Sequence, residues 1–447
     1  MIEEQQIPEL VSDGYILDRF GREVERVLVG ETNNAKLLYL AHTSRVFEKP
    51  VSIVIKGVSS GGKSSTVEQV LKFFPPSAYI ERTGGSERML AYSTEDFRHR
   101  HIVIYEAAGM NSDMMSYLIR TLISEGCIKY ETVEKTEQGL KSKLLIKEGP
   151  TGLILTTTSA KLHSENETRF LSLGVNDTPQ QTKNVMHMIA GVFAGKCTKP
   201  IDYNPWHEFQ TWLARGERRV VVPFAEVLDD MIPGVAVRLR RDFSLLLTLI
   251  CSHALLHRAT RERDLEGRII ATLADYAAVR ELIAKLFSDG IEATVPQRVR
   301  ETVNAVADIM RKDNKLEVSQ TDICKHLGLD KHPVHDRVQK AIQGGFLLNL
   351  ETKEGMPARI VLHDPMPEEI EILPTLDQLR NRCTVVMKTE GVKEQGNPVP
   401  SLLPLKNGCN ATTPIKLDNL EALLNMDEEI DISNLPVETK RELEKWV

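Results

Sequence analysis

Short runs of apolar residues recur along the first third of the chain, and each run ends in polar or glycine-rich residues. The runs lie at Val51–Lys56, Ile102–Tyr105 and Gly152–Thr158. Runs of this length with few polar positions are typical of strands that are buried on both faces of a sheet. After the first run, apolar residues recur every three or four positions through Phe74, which is the spacing of one face of a helix. The alternation predicts an α/β domain.

Helical spacing also covers the residues before the first strand. Two segments, Tyr15–Val27 and Asn33–Phe47, carry apolar residues at that spacing, with Gly30 between them and Thr32 as the N-cap of the second. We expect residues 1–50 to form a small helical lead-in whose role is packing.

A further helix and a hairpin are predicted between the second and third strands. A cap at Ser112 or Asp113 begins a helix that ends at Gly126. Strand-like residues then flank a turn at Gln138-Gly139. Three lysines lie near the tip of this hairpin or in its returning strand: Lys135, Lys141 and Lys143. Because neighbouring glutamates offset the charge of these lysines, the sequence does not decide between a structural hairpin and a hairpin that binds nucleic acid.

The loop after the first strand carries the strongest chemical signal. It reads GVSSGGKSS, which fits the pattern G-x-x-x-x-G-K-[ST]. Glycines let backbone N–H groups turn inward around a phosphate, and the helix N-terminus adds the positive end of its dipole. Lys63 would reach the β- and γ-phosphates of ATP, and the Ser64 hydroxyl would ligate Mg²⁺. The residues expected to bind the nucleotide are Gly57, Ser59, Ser60, Gly61, Gly62, Lys63, Ser64 and Ser65.

The second strand ends in Tyr105-Glu106. In P-loop enzymes an acidic residue beside the γ-phosphate holds Mg²⁺ or orients the attacking water. A charge at the end of a strand is common by itself, but downstream of such a loop it predicts that Glu106 activates water. The usual pair at this place is Asp-Glu, so Tyr105 is a departure.

Composition and charge restrict the possible partners and the cellular location. The 447 residues are 41% hydrophobic and 27% charged, with a formal net charge of −7, so any nucleic-acid contact must come from local features. Six scattered cysteines without a C-x-x-C pair favour reduced thiols. The acidic start does not fit a signal peptide, and the longest apolar run, Phe243–Leu256, is too short to span a bilayer. We therefore expect a cytoplasmic protein with no membrane partner.

The order of these features resembles that of the AAA+ ATPases. The chain has a P-loop, an acidic strand, a helix, a hairpin, a polar-ended strand and then Arg169-Phe170. This order is similar to the branch with a hairpin before sensor 1, which includes MCM-type and superfamily 3 helicases and the replicative helicase-like ATPases of mobile genetic elements. YEAAGM resembles the Walker B segment of MCM proteins, and TRFLSL resembles their arginine-finger segment.

The resemblance implies a fold and roles for particular residues. It implies a parallel sheet flanked by helices, with a helical lid. Thr158, or Thr157 beside it, would be sensor 1, and Arg169 would be a finger that reaches the γ-phosphate of a neighbouring subunit. A finger that acts in trans implies a ring, expected to be a homo-hexamer. The hairpin would grip single-stranded DNA, and one arginine among Arg238, Arg240 and Arg241 would be sensor 2.

The C-terminal third shows a different pattern. Three helices and a two-stranded turn at Lys353–Gly355 are predicted from Val299 onward, with a Ser319-x-x-Asp322 capping box. The order resembles a winged helix-turn-helix, in which the third helix enters the major groove of duplex DNA. The candidate contacts on that helix are Lys331, His335, Arg337 and Lys340. Because acidic residues lie among these basic ones, a winged helix that binds a protein is an alternative.

The predicted domains follow from these segments. They are a lead-in at 1–50, an AAA+ core at 51–225, a lid at 226–298, a winged helix at 299–364 and a poorly ordered acidic tail at 365–447 with short amphipathic segments.

The expected function is that of an ATP-hydrolysing, helicase-like motor on DNA, with a replication partner. Two alternatives stay open. The first is an ATP-switched loader or transcription regulator with little hydrolysis, and the second is a small-molecule P-loop kinase.

Overall fold

The computed structural model describes most of the chain up to Glu390. The described residues are 8–106, 112–136, 139–159, 168–196, 199–234, 238–292, 296–351, 353, 356–363, 366 and 372–390. Contacts divide the chain into two units, Met1–Thr389 and Glu390–Val447. The amphipathic segments predicted in the tail, Leu417–Leu424 and Val437–Trp446, lie outside the described residues.

A parallel five-stranded sheet is the centre of the structure. Its strands are β1 (Ile53–Lys56), β2 (Tyr79–Arg82), β3 (Arg100–Ile104), β6 (Thr151–Thr157) and β7 (Leu171–Gly174). They lie in the order β2-β3-β6-β1-β7, and every neighbouring pair is parallel. The predicted α/β fold with a parallel sheet is confirmed.

Helices cover both faces of this sheet, so its strands are apolar on both sides. Along the chain the helices are α1 (Ile16–Glu25), α2 (Thr32–Thr43), α3 (Lys63–Leu71), α4 (Met89–Tyr92), α5 (Asp113–Glu125), α6 (Pro179–Phe193), α7 (Asn204–Arg215), α8 (Ala225–Met231), α9 (Leu239–Leu256) and α10 (Leu273–Glu292). On one face Val54 packs in a cluster with residues of α4 and α5. On the other, Ile53 and Ile55 pack with residues of α1, α2, α3, α7, α9 and α10.

The two N-terminal helices belong to this second layer. Helix α2 is buried through Leu37–Thr43, and the Phe20 ring of α1 stacks on Tyr39 with ring centroids 4.2 Å apart. Thr32, expected as the N-cap, is instead the first helical residue, and Glu31 precedes it. The described part of the lead-in, residues 8–50, therefore shares one core with α9 and α10.

The predicted hairpin is a long antiparallel pair. Strands β4 (Cys127–Thr136) and β5 (Gly139–Glu148) pair in register from Thr136↔Gly139 to Cys127↔Glu148. The helix before the hairpin has the predicted ends. Ser112 accepts a hydrogen bond from the Met115 amide at 3.2 Å, and Gly126 closes α5 at φ 72°.

A separate core holds the C-terminal elements together. Its helices are α11 (Gln297–Asp313), α12 (Gln320–Leu327) and α13 (Lys331–Gln343), and its strands β10 (Leu347–Asn349) and β11 (Ile360–Leu362) are antiparallel. The predicted capping box is present, because Ser319 and Asp322 exchange both hydrogen bonds. A further pair of short parallel strands, β8 (Val220–Val221) and β9 (Ile269–Ile270), packs against α9.

The predicted tail begins too early at residue 365. Ile372, Leu373 and Leu379 are buried, and they precede or open helix α14 (Leu376–Glu390). The Pro374 carbonyl accepts hydrogen bonds from the Tyr276 hydroxyl at 2.6 Å and from Arg280 Nε at 2.7 Å. Three isolated apolar residues between prolines and acids show no clear periodicity, so their packing beside α10 could not be predicted from the sequence.

None of the described helices is both long enough and apolar enough to cross a bilayer.

Candidate nucleotide site

The P-loop follows β1, at the carboxyl edge of the sheet. Gly62 precedes α3 with φ 88°, and Ser60 also has a positive φ of 64°. Alternation of left-handed residues with ordinary ones turns successive N–H groups to one side, which is the geometry of an anion-binding nest. A Cβ at Gly57 would lie 2.3 Å from Val175 Cγ2, so any other residue there would require the Val175 side chain to shift. The loop thus has the shape required to hold a phosphate.

Lys63 is the first residue of α3, and it is buried although it is charged. Its exposed fraction is only 4%, and Nζ donates a hydrogen bond to the Val58 carbonyl at 2.8 Å. The amine therefore lies inside the loop whose phosphate it is expected to contact. Ser64 is half-buried in the first turn of α3. Both positions fit Mg²⁺-ATP, because Mg²⁺ usually takes one or two protein ligands together with phosphate oxygens.

Two further predicted residues reach the same edge of the sheet. The Gly57 amide donates to the Thr157 carbonyl at 3.3 Å, which joins the P-loop to the end of β6. The Glu106 amide donates to Thr156 Oγ1 at 3.0 Å, which joins the end of β3 to the same strand. Because β6 lies between β3 and β1, the P-loop, Glu106 and Thr158 are neighbours.

The backbone at Glu106 is strained. Its φ of 53° lies in the left-handed region, which costs a residue with a side chain about 1–2 kcal/mol. The side chain is exposed at the edge. Strain of this kind clusters at functional sites.

Tyr105 is half-buried, and its side chain is engaged. The hydroxyl donates a hydrogen bond to Glu81 Oε1 at 2.7 Å. Burial, together with the hydrogen bond to Glu81, raises the pKa of the phenol above its usual value of 10. The position where the resemblance expects a metal-binding carboxylate is therefore neutral.

The two threonines at the end of β6 differ in their environments. Thr157 is fully buried, and its Oγ1 accepts a hydrogen bond from the Ser159 amide at 3.1 Å. Thr158 is exposed just beyond the strand. The structure therefore leaves the Thr158 side chain accessible at the edge.

Arg169 lies at the opposite, amino edge of the sheet. It precedes β7, where Leu171 pairs with Ile53, so it is level with residue 51, before β1 begins. Six residues separate that level from Gly57, or about 20 Å at 3.3 Å per residue. An arginine side chain cannot span that distance, so Arg169 does not complete the nucleotide site of its own chain.

A cleft of about 610 Å³ surrounds Arg169. Arg169 Nε donates to Ser124 Oγ at 2.8 Å, and Arg241 donates to Thr168 beside it. Partial burial lowers the pKa of Arg169, and the nearby charges of Arg241 and Arg120 lower it further. Arg169 therefore lies near two further arginines, and the cleft also contains the acids Glu48, Glu125 and Asp242. Sequence reasoning missed Ser124 and Arg120, because only the fold brings α5 next to Arg169.

The arginines at the start of α9 also separate. Arg238 forms an ion pair with Asp242 at 3.0 Å, and Arg240 is exposed. Of these three arginines, Arg241 lines the cleft of Arg169 and donates a hydrogen bond to Thr168.

The nucleic-acid candidates on α13 lie in different places. Lys331 and Lys340 are exposed, whereas Arg337 forms an ion pair with Glu301 at 3.0 Å and turns toward α11. His335 is exposed, and its Nδ1 lies 3.4 Å from Gln320 Nε2. The side opposite Val334 and Val338 carries one acid and no Lys or Arg: His332, Asp336, Gln339 and Gln343.

Comparison with known proteins supports the first half of this description. The family described as "MTBMA_p00010 P-loop domain" matches residues 1–207. This region is a P-loop domain. No curated protein matches the chain. A solved structure, a full-length MCM homolog from Methanopyrus kandleri, is similar at 14% identity with a TM-score of 0.41. The match covers 60% of this chain and 57% of that one.

Groups of three or more His, Cys, Asp or Glu side chains that could hold a metal ion are absent from the described part of the chain.

Proposed function

We propose that this protein is a DNA-acting, helicase-like ATPase that works as a ring and hydrolyses ATP between adjacent subunits. The observation that supports this most is the separation of Lys63 from Arg169. The two lie at opposite edges of one sheet, so a site that uses both needs two chains. A contact from one edge of a subunit to the other edge of the next is head-to-tail, and such contacts form a ring when the rotation between subunits closes.

Each residue then has a role at the shared site. The P-loop amides and Lys63 bind the phosphates of ATP, and Ser64 binds Mg²⁺. Bound Mg²⁺ would neutralise charge that develops on the phosphates. The Glu106 carboxylate accepts a proton from the attacking water, and Thr158 orients that water. Arg169 of the neighbouring subunit stabilises negative charge in the transition state.

We assign the lid arginine of the same site to Arg241. Its contact with Thr168 places it beside Arg169, whereas Arg238 is neutralised by Asp242. Both arginines would then approach the neighbour's phosphates together.

Mixing two inactive variants tests the shared site. Lys63→Ala should lose ATP binding, and Arg169→Ala should bind ATP but lose turnover by about 10³-fold. In an equal mixture, about a quarter of head-to-tail contacts pair an intact Lys63 with an intact Arg169. We therefore expect about a quarter of the unaltered ATPase activity on mixing, measured by phosphate release.

A double variant, Lys63→Ala with Arg169→Ala, is the matched control, because mixing it with the unaltered chain can only dilute activity. If the two single variants stay inactive on mixing, the site is not shared. Phosphorylation of an added small acceptor by the unaltered chain would then support a P-loop kinase.

A second candidate function is favoured by Tyr105. A neutral phenol in place of a carboxylate weakens the binding of Mg²⁺, so ATP could order an assembly without fast hydrolysis. The protein would then load a partner onto DNA or regulate transcription. ATP binding together with DNA-stimulated turnover and strand displacement would support the motor. ATP binding without turnover would support the loader.

DNA contact is proposed at two places. The β4–β5 hairpin would hold single-stranded DNA within the ring. The α11–β11 unit, with three helices and two antiparallel strands, would bind duplex DNA as a winged helix through Lys331 and Lys340.

A further inference from the structure

Helix α6 (Pro179–Phe193) is attached to the rest of the chain through its first turn. Thr178 Oγ1 accepts a hydrogen bond from the Gln181 amide at 3.2 Å, and Gln181 Nε2 donates to the Val29 carbonyl at 2.5 Å. Of the fifteen residues of this helix, all of which the structure describes, only Gln181 is buried. The helix therefore continues for about 18 Å beyond Gln181, at 1.5 Å per residue, without burying a side chain.

The exposed side of α6 is apolar. It carries Met186, Ile189, Val192 and Phe193, whose exposed fractions are 64%, 47%, 65% and 89%. Met186, Ile189 and Phe193 have the spacing i, i+3 and i+7, which places them on one side of the helix. Helices that dock in an apolar groove of another protein use this spacing. We call Met186, Ile189 and Phe193 the α6 anchors.

The charge of α6 and its flanks has one sign. From Thr178 to Lys196 the sequence contains Lys183, His187 and Lys196 and no acid. Lys183 and Lys196 are exposed, one on each side of the α6 anchors. A surface that matches α6 therefore needs apolar side chains together with acids.

Helix α6 begins beside the P-loop. The Val175 amide donates a hydrogen bond to the Lys56 carbonyl at 3.1 Å, at the carboxyl end of β1. Val175 Cγ2 lies against the loop, at 2.3 Å from a Cβ built on Gly57 and 3.1 Å from one built on Gly61. Three residues separate Val175 from the start of α6. The helix therefore starts at the edge of the sheet that the proposed ring places against the Arg169 edge of a neighbouring subunit.

The cleft around Arg169 has apolar side chains in its wall. Ile123 of α5 and Leu245 of α9 line it, together with Phe170. Ile123 and Leu245 are half-buried, so each can lose further contact with water when a side chain docks beside it. The wall formed by α5 and α9 is therefore suited to the apolar side of a helix.

The same cleft carries the acids that α6 lacks. Glu48 and Glu125 line it, and both are exposed. Arg169 and Arg241 also line it, but both are assigned above to the phosphates of the neighbouring subunit. The described lining contains one further cation, Lys49, so two exposed acids outnumber it.

We propose that α6 docks in the cleft around Arg169 of a second copy of the chain. The α6 anchors pack against the wall formed by α5 and α9, and Lys183 and Lys196 lie near Glu48 and Glu125. The head-to-tail contact that brings Arg169 to a neighbouring P-loop also covers the apolar side of α6. This inference rests on the proposed function, because it names the surface through which the subunits of the proposed ring meet.

Truncation of the α6 anchors in the full chain tests whether α6 is a subunit contact. The anchor variant is Met186→Ser with Ile189→Ser and Phe193→Ser. Assembly is measured by sedimentation velocity over a range of protein concentrations, with Mg²⁺ and ATP. We expect the concentration for half-assembly to rise at least about thirtyfold, the effect of losing one hot-spot residue. ATP binding should not change, since the P-loop is unaltered, and turnover should fall together with assembly.

The matched control removes three exposed apolar side chains elsewhere. It is Leu265→Ser with Leu316→Ser and Met356→Ser, at positions that are 96%, 88% and 59% exposed. This control loses comparable apolar surface, so it should assemble and turn over ATP as the unaltered chain does.

Exchange of charges between two variants identifies the cleft as the partner surface. The helix variant is Lys183→Glu with Lys196→Glu, and the cleft variant is Glu48→Lys with Glu125→Lys. Each alone should assemble poorly, because like charges then face each other at every contact. In an equal mixture, opposite charges meet wherever a helix variant adjoins a cleft variant. Assembly and ATPase activity should therefore recover on mixing.

Three results would overturn the assignment. Normal assembly of the anchor variant would show that α6 is not a subunit contact. Charge variants that do not recover on mixing would place α6 outside this cleft. An anchor variant that assembles normally but no longer binds phosphatidylserine vesicles would make α6 a membrane-binding surface. In all three results the unaltered chain still assembles, whereas an unaltered chain that stays monomeric with ATP would also remove the ring from the proposed function.

Discussion

Position 105 carries a tyrosine where the resemblance to AAA+ ATPases expects an aspartate, and the tyrosine hydroxyl donates a hydrogen bond to Glu81. Substitution of Tyr105 tests whether this position influences the binding of Mg²⁺. Tyr105→Asp places a negative charge near the end of β3, where it can attract Mg²⁺. We expect the Mg²⁺ concentration for half-maximal ATPase activity to fall about tenfold, which is the usual size of an outer ligand's effect. Tyr105→Phe is the control, since it breaks the bond to Glu81 without adding charge. Equal Mg²⁺ dependence in both variants would mean that this position does not influence the metal.

Glu106 is the second test at this scale. Glu106→Gln keeps the size of the side chain but removes its basicity. ATP binding should remain, and turnover should fall by about 10²- to 10⁴-fold, the contribution of a general base. Glu87→Gln, at another exposed position, should leave turnover unchanged. Undiminished hydrolysis by Glu106→Gln would exclude it from the chemistry.

At the residue scale the sequence predicted the P-loop well, because that motif is local. The glycines, Lys63 and Ser64 lie within a few positions of one another, so their spacing specifies their geometry. Partners from distant strands were not predictable in this way. The bonds from Tyr105 to Glu81 and from Arg169 to Ser124 join residues 24 and 45 positions apart, and nothing in the local pattern marks them.

At the scale of elements, α2 and β3 bury two histidines against each other. The rings of His42 and His101 are 4.8 Å apart, and both are fully buried. Burial lowers the pKa of His101 to about 4, and burial, His101 and Arg45 hold the pKa of His42 well below 6.5. Both are therefore neutral in the folded protein.

This pairing makes stability depend on pH. The unfolded chain takes up protons below about pH 6.5, whereas the folded chain does not until about pH 4. Stability should be full above pH 6.5 and should fall as the pH drops toward 4. Each histidine costs up to about 1.4 kcal/mol per pH unit in that range. Urea unfolding at several pH values measures it.

His42→Phe is the sharper form of this test. Neither ring nitrogen of His42 has a hydrogen-bond partner within the described structure, so a phenyl ring should fit at little cost. We expect the loss of stability between pH 7.5 and pH 5 to be smaller by about 2 kcal/mol in this variant. An unchanged pH profile would show that His42 is protonated in the fold.

Element ends were predictable where capping chemistry is local, as in α5 and α12. Burial of an element was not. Helix α14 is held against the core by a few residues after residue 371. This contact depends on hydrogen bonds from Tyr276 and Arg280 of α10 to the Pro374 carbonyl. Likewise, the pattern of β4 and β5 predicted a hairpin, but only the register separates Lys135 from Lys141 and Lys143.

At the scale of the whole molecule, DNA binding by the α11–β11 unit should be tested by point substitutions. Truncation after Arg298 would also remove the buried Leu373 and Leu379, so it would disturb the core. Lys331→Gln with Lys340→Gln should weaken duplex binding and reduce the salt slope by about 1.8, or two phosphate contacts. Basal ATPase activity should not change.

The control for this pair is Lys285→Gln with Lys312→Gln, since both lysines are exposed outside α13. Duplex affinity that stays constant in both pairs would favour a protein partner for the unit. The acid on the exposed side of α13, Asp336, makes that outcome informative.

The sequence also predicted the order of elements, but it did not predict at which edge of the sheet Arg169 lies. Which edge of the sheet holds Arg169 follows from the parallel pairing of β7 with β1, a contact between strands more than 110 residues apart. Non-local pairing of this kind leaves no periodic signal, so the placement of Arg169 at the edge opposite Lys63 came from the structure.

The opposite placement of Lys63 and Arg169 has a genetic consequence. A chain altered at both residues would damage two sites, its own and that of one neighbour. In a ring of about six subunits, one such chain would disable two sites. We therefore expect the doubly altered chain to be dominant over the normal one when both are made in the same cell, whereas loss of the chain altogether would be recessive.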